Sequence, residues 1–259
     1  MIPWTLRGLR NGVLTTRWPR RADRYFDEFR GTMTVTDGPA DVEPALRAAA
    51  ICPTSAITIH PDHLVTLDQG RCILCGRCAE TAPTVFAWRC GADTSTLQRG
   101  DLLAGHRVGH DEDLDEIRAQ LAHRVRRLRR SVHIRHVDAG SDGSDEWEVA
   151  ALANPVYDIH RLGIFFTASP RHADILLITG VGTTGMAAPL SRTLAAMPRP
   201  LVVIAAGTDA VSGGLVGGGY AAGAGIDGLV DVDVWVPGSP AAPFALLHGI
   251  LQAVDRLPS

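Results

Sequence analysis

The chain has 259 residues, 46% of them hydrophobic, with 25 basic against 28 acidic side chains and a formal net charge of −3. That length suits one large or two modest domains with buried cores, and the balanced charge excludes a polyanion as a global partner. Every basic residue is arginine, and the five cysteines are grouped too closely for a disulfide framework, which points to a reducing compartment.

Residues 1–29 form the first segment. Trp4, Leu6, Leu9, Val13 and Leu14 alternate with Arg7, Arg10 and Arg17, the pattern of a short amphipathic helix suited to a membrane interface, a partner groove or an ordinary surface. The start lacks the continuous apolar stretch and small-residue cleavage site of a secretory signal. Arg20-Arg21 leads into ADRYFDEF, too charged for a twin-arginine signal. No run of 18 apolar residues occurs anywhere. The glycine-rich tract from Leu201 to Val230 is broken by Asp209 and Asp227, so no transmembrane segment is expected.

Residues 30–92 read as a ferredoxin-like α+β unit. A strand is predicted near Met33–Val35, a helix over Val42–Ala50, strands at Ile57–Ile59 and Leu64–Leu67, then a helix carrying cysteines. Its chemistry lies in Cys72-x₂-Cys75-x₂-Cys78 and the isolated Cys52-Pro53. The bacterial iron–sulfur run is C-x₂-C-x₂-C-x₃-C-P, and in two-cluster proteins its fourth cysteine ligates the other cluster. Here the second run keeps three ligands but has Ala82 before Pro83. Counting back from Cys52, the front ligands of the first run fall at Val42, Ala45 and Ala48. The survivors Cys52, Cys72, Cys75 and Cys78 are the ligand set of one [4Fe–4S] cluster, and the missing residues are the ligands of its twin. A four-thiolate zinc site and unligated cysteines are the alternatives, although zinc ribbons normally pair two C-x₂-C hooks. Cys90 has no partner in this arithmetic and is expected to be a buried structural thiol.

Residues 93–130 read as a linker and a charged helix from Asp111 to Arg130, acidic at its start and basic at its end, which complements the helix dipole. Ile117, Leu121, Val125 and Leu128 give it a packing face. The arginines at 124, 126, 127, 129 and 130 therefore suit an inter-subunit contact better than a nucleic acid. From residue 131 to 259 strands and helices alternate. Strands are predicted at Ser131–Val137, Gly163–Thr167, Ile175–Thr179, Leu201–Ala205 and Val232–Val236. Helices are predicted near Asp145–Ala153, Met186–Met197 and Pro243–Leu257. This is the pattern of a three-layer α/β domain with a mostly parallel sheet, whose ligands bind at the carboxyl ends of the strands. GVGTTG at 180–185 lacks the lysine of a phosphate loop, and the histidines show no metal-ligand spacing.

The segments at that edge carry a resemblance. HVDAGS with its following glutamate at 136–148, NPVYDIHRLGI at 154–164, SPRHADILLITG at 169–180, MAAPLSRTLAAMP, AVSGG and VPGSP resemble the small-subunit family shared by complex I (the 20 kDa type) and membrane-bound group 4 [NiFe]-hydrogenases. RGLRNGVLTTRWP, FRG, CPTSAITI and RCILCGRC resemble the neighbouring ferredoxin-like subunit of the 23 kDa type, so the chain resembles two adjacent subunits fused. The family's proximal cluster is held by four cysteines, and the matching positions here are Asp142, Asp145, Asp209 and Ser239. Three carboxylates and a hydroxyl are a hard-oxygen set unsuited to iron–sulfur chemistry, which implies that the proximal cluster is absent. The three aspartates are expected to accept hydrogen bonds from loop amides and to pair with arginine or histidine, or else to hold Mg²⁺ or Ca²⁺. Glu148 matches a family glutamate and reads either as a proton-path residue or as a helix N-terminal acid.

The resemblance implies an iron–sulfur subunit with one [4Fe–4S] cluster. It would sit peripherally on the cytoplasmic face of the plasma membrane, between a hydrogenase-like large subunit and membrane subunits, with membrane contact through the N-terminal segment or through partners. The alternative is a scaffold subunit whose cluster is structural. By the family's ligand pattern the retained centre is expected to be the outer of the two ferredoxin-type positions, away from the proximal site.

Overall fold

The computed structural model describes residues 4–23, 25–36, 41–105, 114–126, 128 and 131–257. Helix α1 (Trp4–Asn11) buries none of its residues and stops at Gly12, whose φ of 65° is the left-handed conformation that ends helices. The chain then attaches to the body. Thr15 Oγ1 donates to the Pro155 carbonyl at 2.7 Å, and the Thr16 amide donates to that of Val156 at 2.8 Å.

Two strand–helix–strand units follow. The first is β1 (Arg30–Val35), α2 (Val42–Ala50) and β2 (Ile57–Ile59). The second is β3 (Val65–Asp68), α3 (Arg77–Thr81) and β4 (Phe86–Cys90). β1 pairs antiparallel with β4, and β2 with β3, so the two units face each other over one core of Met33, Val65, Leu67, Val85 and Phe86. Strand β5 (Leu103–Gly105), inside the stretch expected as linker, extends the second sheet by pairing with β3.

Helix α4 (Leu114–Val125) packs through Ile117, Leu121 and Val125, with Leu128 beyond its end, as the apolar spacing predicted. Its Arg124 pairs with Asp233 of the same chain. Arg127, Arg129, Arg130 and the first residues of the predicted helix (111–113) lie outside the described residues.

The remainder builds the α/β part from β6 (Val132–Asp138), α5 (Ser144–Ala151), β7 (Ile164–Phe166), β8 (Ile175–Thr179), α6 (Thr184–Ala196), β9 (Val202–Ala206), α7 (Thr208–Ser212), β10 (Val234–Val236) and α8 (Pro243–Ala253). The sheet order is β10-β9-β8-β6-β7, and every pairing is parallel. β8 and β9 are buried at every position because both faces are covered. Ile175 and Leu177 face the core formed with α5 and α8, while Leu176 and Ile178 face the one formed with α6 and α7. At the outer edge, Thr96 exchanges backbone hydrogen bonds of 2.9 and 2.8 Å with Trp235 of β10, which covers an otherwise open strand. Nearby, Ser95 Oγ donates to Gln252 Oε1 at 2.8 Å and so accepts from His248 Nδ1 at 2.5 Å. The segment after β4 is thereby fixed to α8.

Phe244 at the start of α8 is the hub between the N-terminal segment and the sheet. Its ring lies 5.9 Å from Trp18, 5.5 Å from Phe26, 5.7 Å from Phe29 and 5.1 Å from Tyr157, each edge-on. Replacing it, Phe244→Ala, is expected to cost about 3–5 kcal/mol, read as a lowered midpoint in urea denaturation. An unchanged midpoint would show that the aromatic contacts contribute nothing.

Candidate metal centre and the carboxyl edge of the sheet

The four cysteines singled out by spacing come from different local structures. Cys52 follows α2, Cys72 lies in the turn leaving β3, Cys75 sits in the loop and Cys78 on α3. That turn is held by Asp68, which accepts from the Gly70 amide at 2.9 Å and pairs with Arg99 at 2.7 Å. The loop then reverses through Leu74 at φ 55° and Gly76 at φ 78°. A positive φ is unusual for leucine, and it marks a backbone shaped around something. All four cysteines line one pocket, walled by Ala48, Pro53, Ile57 and Leu67. Cys72 and Cys78 are buried, Cys52 is half-buried and Cys75 is exposed.

Backbone amides point at the sulfurs. The Ala56 N–H donates to Cys52 Sγ at 3.3 Å, and the amides of Leu74 and Ala79 face Cys72 and Cys78. Burial, with the neighbouring thiols adding to it, pushes the Cys72 thiol up to about 12, and burial also raises Cys78. Thiols this sequestered keep their protons unless a cationic metal takes their place. Among the described residues no three His, Cys, Asp or Glu side chains are gathered around the position of a single ion. The soft donor set and the amides aimed at sulfur fit an iron–sulfur cluster.

The positions where spacing would put a second ligand set are packed. Ala45, Ala48 and Ala82, three of its four ligand positions, have no exposed surface and belong to the core of this lobe. Val42 begins α2, which occupies the stretch where the first ligand run would lie. Cys90, expected buried, is exposed at the end of β4 opposite Arg30, because burial falls off along the strand and leaves both Arg89 and Cys90 open to solvent.

The cysteine loop rests directly on the α/β part. Thr208 Oγ1, fully buried at the start of α7, donates to the Cys72 carbonyl at 3.2 Å and accepts from the Gly238 amide. The retained quartet therefore faces the carboxyl edge of the parallel sheet. The ligand pattern had placed it in the outer position; docking through Thr208 puts it on the inner side.

That edge carries the four degenerate positions. Asp142 Oδ1 accepts from the Ser144 amide at 2.9 Å and its hydroxyl at 2.6 Å, which holds this carboxylate below its ordinary value. Asp145 is buried, accepts from the Ala241 amide at 2.9 Å and packs against Gly207, where φ of 87° and the nearness of the carboxylate require glycine. Burial pushes Asp145 up to about 7, with Asp209 adding to the effect. Asp209 is raised too, by burial and then by Asp142 and Glu146. Ser239 is exposed. Loop amides or hydroxyls hold Asp142 and Asp145 as expected, but no described arginine or histidine pairs with the three aspartates, and they do not converge on an ion position.

Sequence reading missed the polar chain beside them. Ser141 Oγ donates to Glu146 Oε2 at 2.7 Å and Thr179 Oγ1 donates to Glu146 Oε1, so His136 Nε2 donates to Thr179 Oγ1 at 2.9 Å. Burial lowers the His136 pKa, which suits the neutral ring. Nothing in spacing joins residues from β6, α5 and β8; only their position at strand ends does. Glu148 lies mid-helix in α5, half-buried and raised by burial, so it is not a first-turn acid.

These features define a class: a parallel α/β subunit whose edge loops carry carboxylates, docked to a small antiparallel lobe with a four-cysteine pocket. The chain belongs to the family described as NADH ubiquinone oxidoreductase, 20 Kd subunit, which matches residues 143–253. It is 37% identical to formate hydrogenlyase subunit 7 of Escherichia coli over 57% of this chain and 56% of that protein. It is 33% identical to a probable membrane-bound hydrogenase subunit of Pyrococcus furiosus over 57% of this chain and 89% of that protein. A chain in the solved structure of the membrane-bound sulfane sulfur reductase, an archaeal respiratory membrane complex, aligns over 51% of this chain and 73% of its own length at 29% identity and a TM-score of 0.46.

The Asp145 environment gives a pH signature. Its folded value, about 7, lies above the ordinary 3.8, so the native state binds the proton more tightly than the unfolded chain. Its contribution is full below about pH 4 and is lost as pH rises toward 7. Asp145→Asn is expected to remove this fall and to be the more stable form at pH 8 by a few kcal/mol, measured by denaturation across pH. Parallel stability–pH curves for the two proteins would refute the buried-acid assignment.

Proposed function

We propose that the chain is the iron–sulfur subunit of a membrane-associated oxidoreductase complex related to complex I and the group 4 hydrogenases, in which Cys52, Cys72, Cys75 and Cys78 hold a single [4Fe–4S] cluster. On this reading the cysteine lobe corresponds to the 23 kDa-type subunit fused ahead of the 20 kDa-type domain. The protein lies on the cytoplasmic face, between a hydrogenase-like large subunit and membrane subunits. The observation that carries the proposal is that Cys52, distant in sequence from the Cys72, Cys75 and Cys78 run, lines one pocket with them, and that amides are aimed at the sulfurs. The likeness to subunits of formate hydrogenlyase and of a membrane-bound hydrogenase supports the setting.

A cluster bound there supplies reversible one-electron transfer. The protein's part is to shield it with Ala48, Ile57 and Leu67, to tune it through sulfur hydrogen bonds, and to leave the Cys75 side open to a donor or acceptor. The hard-oxygen set at Asp142, Asp145, Asp209 and Ser239 offers no second cluster, so exchange runs through that open side.

The same oxygen set favours a second reading, a scaffold in which the cluster only staples the lobe. Redox titration of the intact complex, followed by electron paramagnetic resonance, separates the two. Electron transfer predicts one reducible centre, and Cys75→Ser is expected to lower complex activity at least tenfold while the subunits stay assembled. A scaffold predicts lost assembly with no redox consequence. Interacting clusters, or zinc alone in a metal assay, would refute the ligand assignment.

A further inference from the structure

The N-terminal helix has no place in the site chemistry, yet its composition is unlike the rest of the chain. Trp4, Leu9 and Val13 are 84, 80 and 79% exposed, with Leu6 and Leu14 more than half exposed. Leu6 and Leu9 share one face of α1 at i,i+3 spacing, and Val13 continues it past the helix end. Between Trp4 and Ala22 there are five arginines and no acidic residue, in a chain whose net charge is −3. The body is therefore repelled by an anionic surface to which this segment is attracted, and the difference fixes an orientation.

The segment is also held in place. Thr15 and Thr16 bond to the 155–156 backbone, Trp18 stacks on Phe26 at 5.3 Å, and Arg161 donates to the Trp18 carbonyl. The helix is thus attached through the residues that follow it, and all of its faces, the apolar one included, are open to solvent.

We propose that α1 and the arginines following it are a docking surface for an anionic phospholipid bilayer, with Leu6, Leu9 and Val13 entering the headgroup–acyl boundary and Arg7, Arg10 and Arg17 on phosphates. Apolar insertion combined with basic attraction is how in-plane helices bind membranes. The inference deepens the membrane-complex reading by naming the surface and the lipid class, and it does not depend on the cluster.

The test is sedimentation of the full chain with vesicles of phosphatidylcholine alone or mixed equally with phosphatidylglycerol. Binding is expected only to the anionic vesicles and is expected to weaken in salt. Arg7→Ala/Arg10→Ala should lower partitioning about 25-fold, about fivefold for each arginine lost from the surface. Leu6→Ser/Leu9→Ser should lower it as well. Because α1 buries no residue, circular dichroism melting of both variants should match the parent. No binding, equal binding to both compositions, or variants that bind like the parent would overturn the proposal. Loss of the cluster signal would refute the redox assignment and leave vesicle binding untouched, so the two readings fail separately.

Discussion

Thr208 is one hydroxyl with both of its hydrogen-bonding roles filled inside the protein. It accepts from the Gly238 amide and donates to the Cys72 carbonyl, with no surface left to water. A buried hydroxyl without partners costs free energy, so the loop after β9, the loop after β10 and the cysteine loop must arrive together. This contact sets the distance between the cysteine pocket and the sheet edge, and it makes the two lobes one piece of machinery. The Thr96–Trp235 bridge and the Ser95–His248–Gln252 chain hold the same junction along the outer side of β10 and on α8.

Beside that junction, the edge loops set each carboxylate by its own burial and local capping. Asp142 is stabilised as an anion by Ser144, whereas Asp145 is buried where its neutral form is favoured. Asp209 rises as well, through burial first and then the nearby Asp142 and Glu146 carboxylates. The Ser141–Glu146–Thr179–His136 chain is satisfied internally.

Much of this was legible in the sequence where pattern is dense. The apolar runs gave β8 in full and β9 within one residue, since strands buried on both faces show no alternation to misread. The Ile57–Ile59 strand and the Val42–Ala50 helix fell where predicted, and the spacing of Cys52, Cys72, Cys75 and Cys78 anticipated a shared pocket. What escaped is tertiary. β5 and Thr96 are too short for periodicity and exist because another strand offers them partners. Cys90 followed the exposed end of a strand, not its residue type. Which side of its lobe the quartet occupies depends on Thr208, a residue that no motif marks.

The alanines at 45, 48 and 82 carry a consequence for any second cluster. Their methyl groups fill the interior of the lobe beside α2 and α3, and residues 42–50 form a regular helix. Restoring three cysteines would therefore place sulfur in a closed core without restoring the loop that wraps a cluster. Sulfur introduced into an interior that is already closed overpacks it, so each such substitution is individually unfavourable. The same methyl groups that exclude a second cluster here contribute to the stability of the lobe.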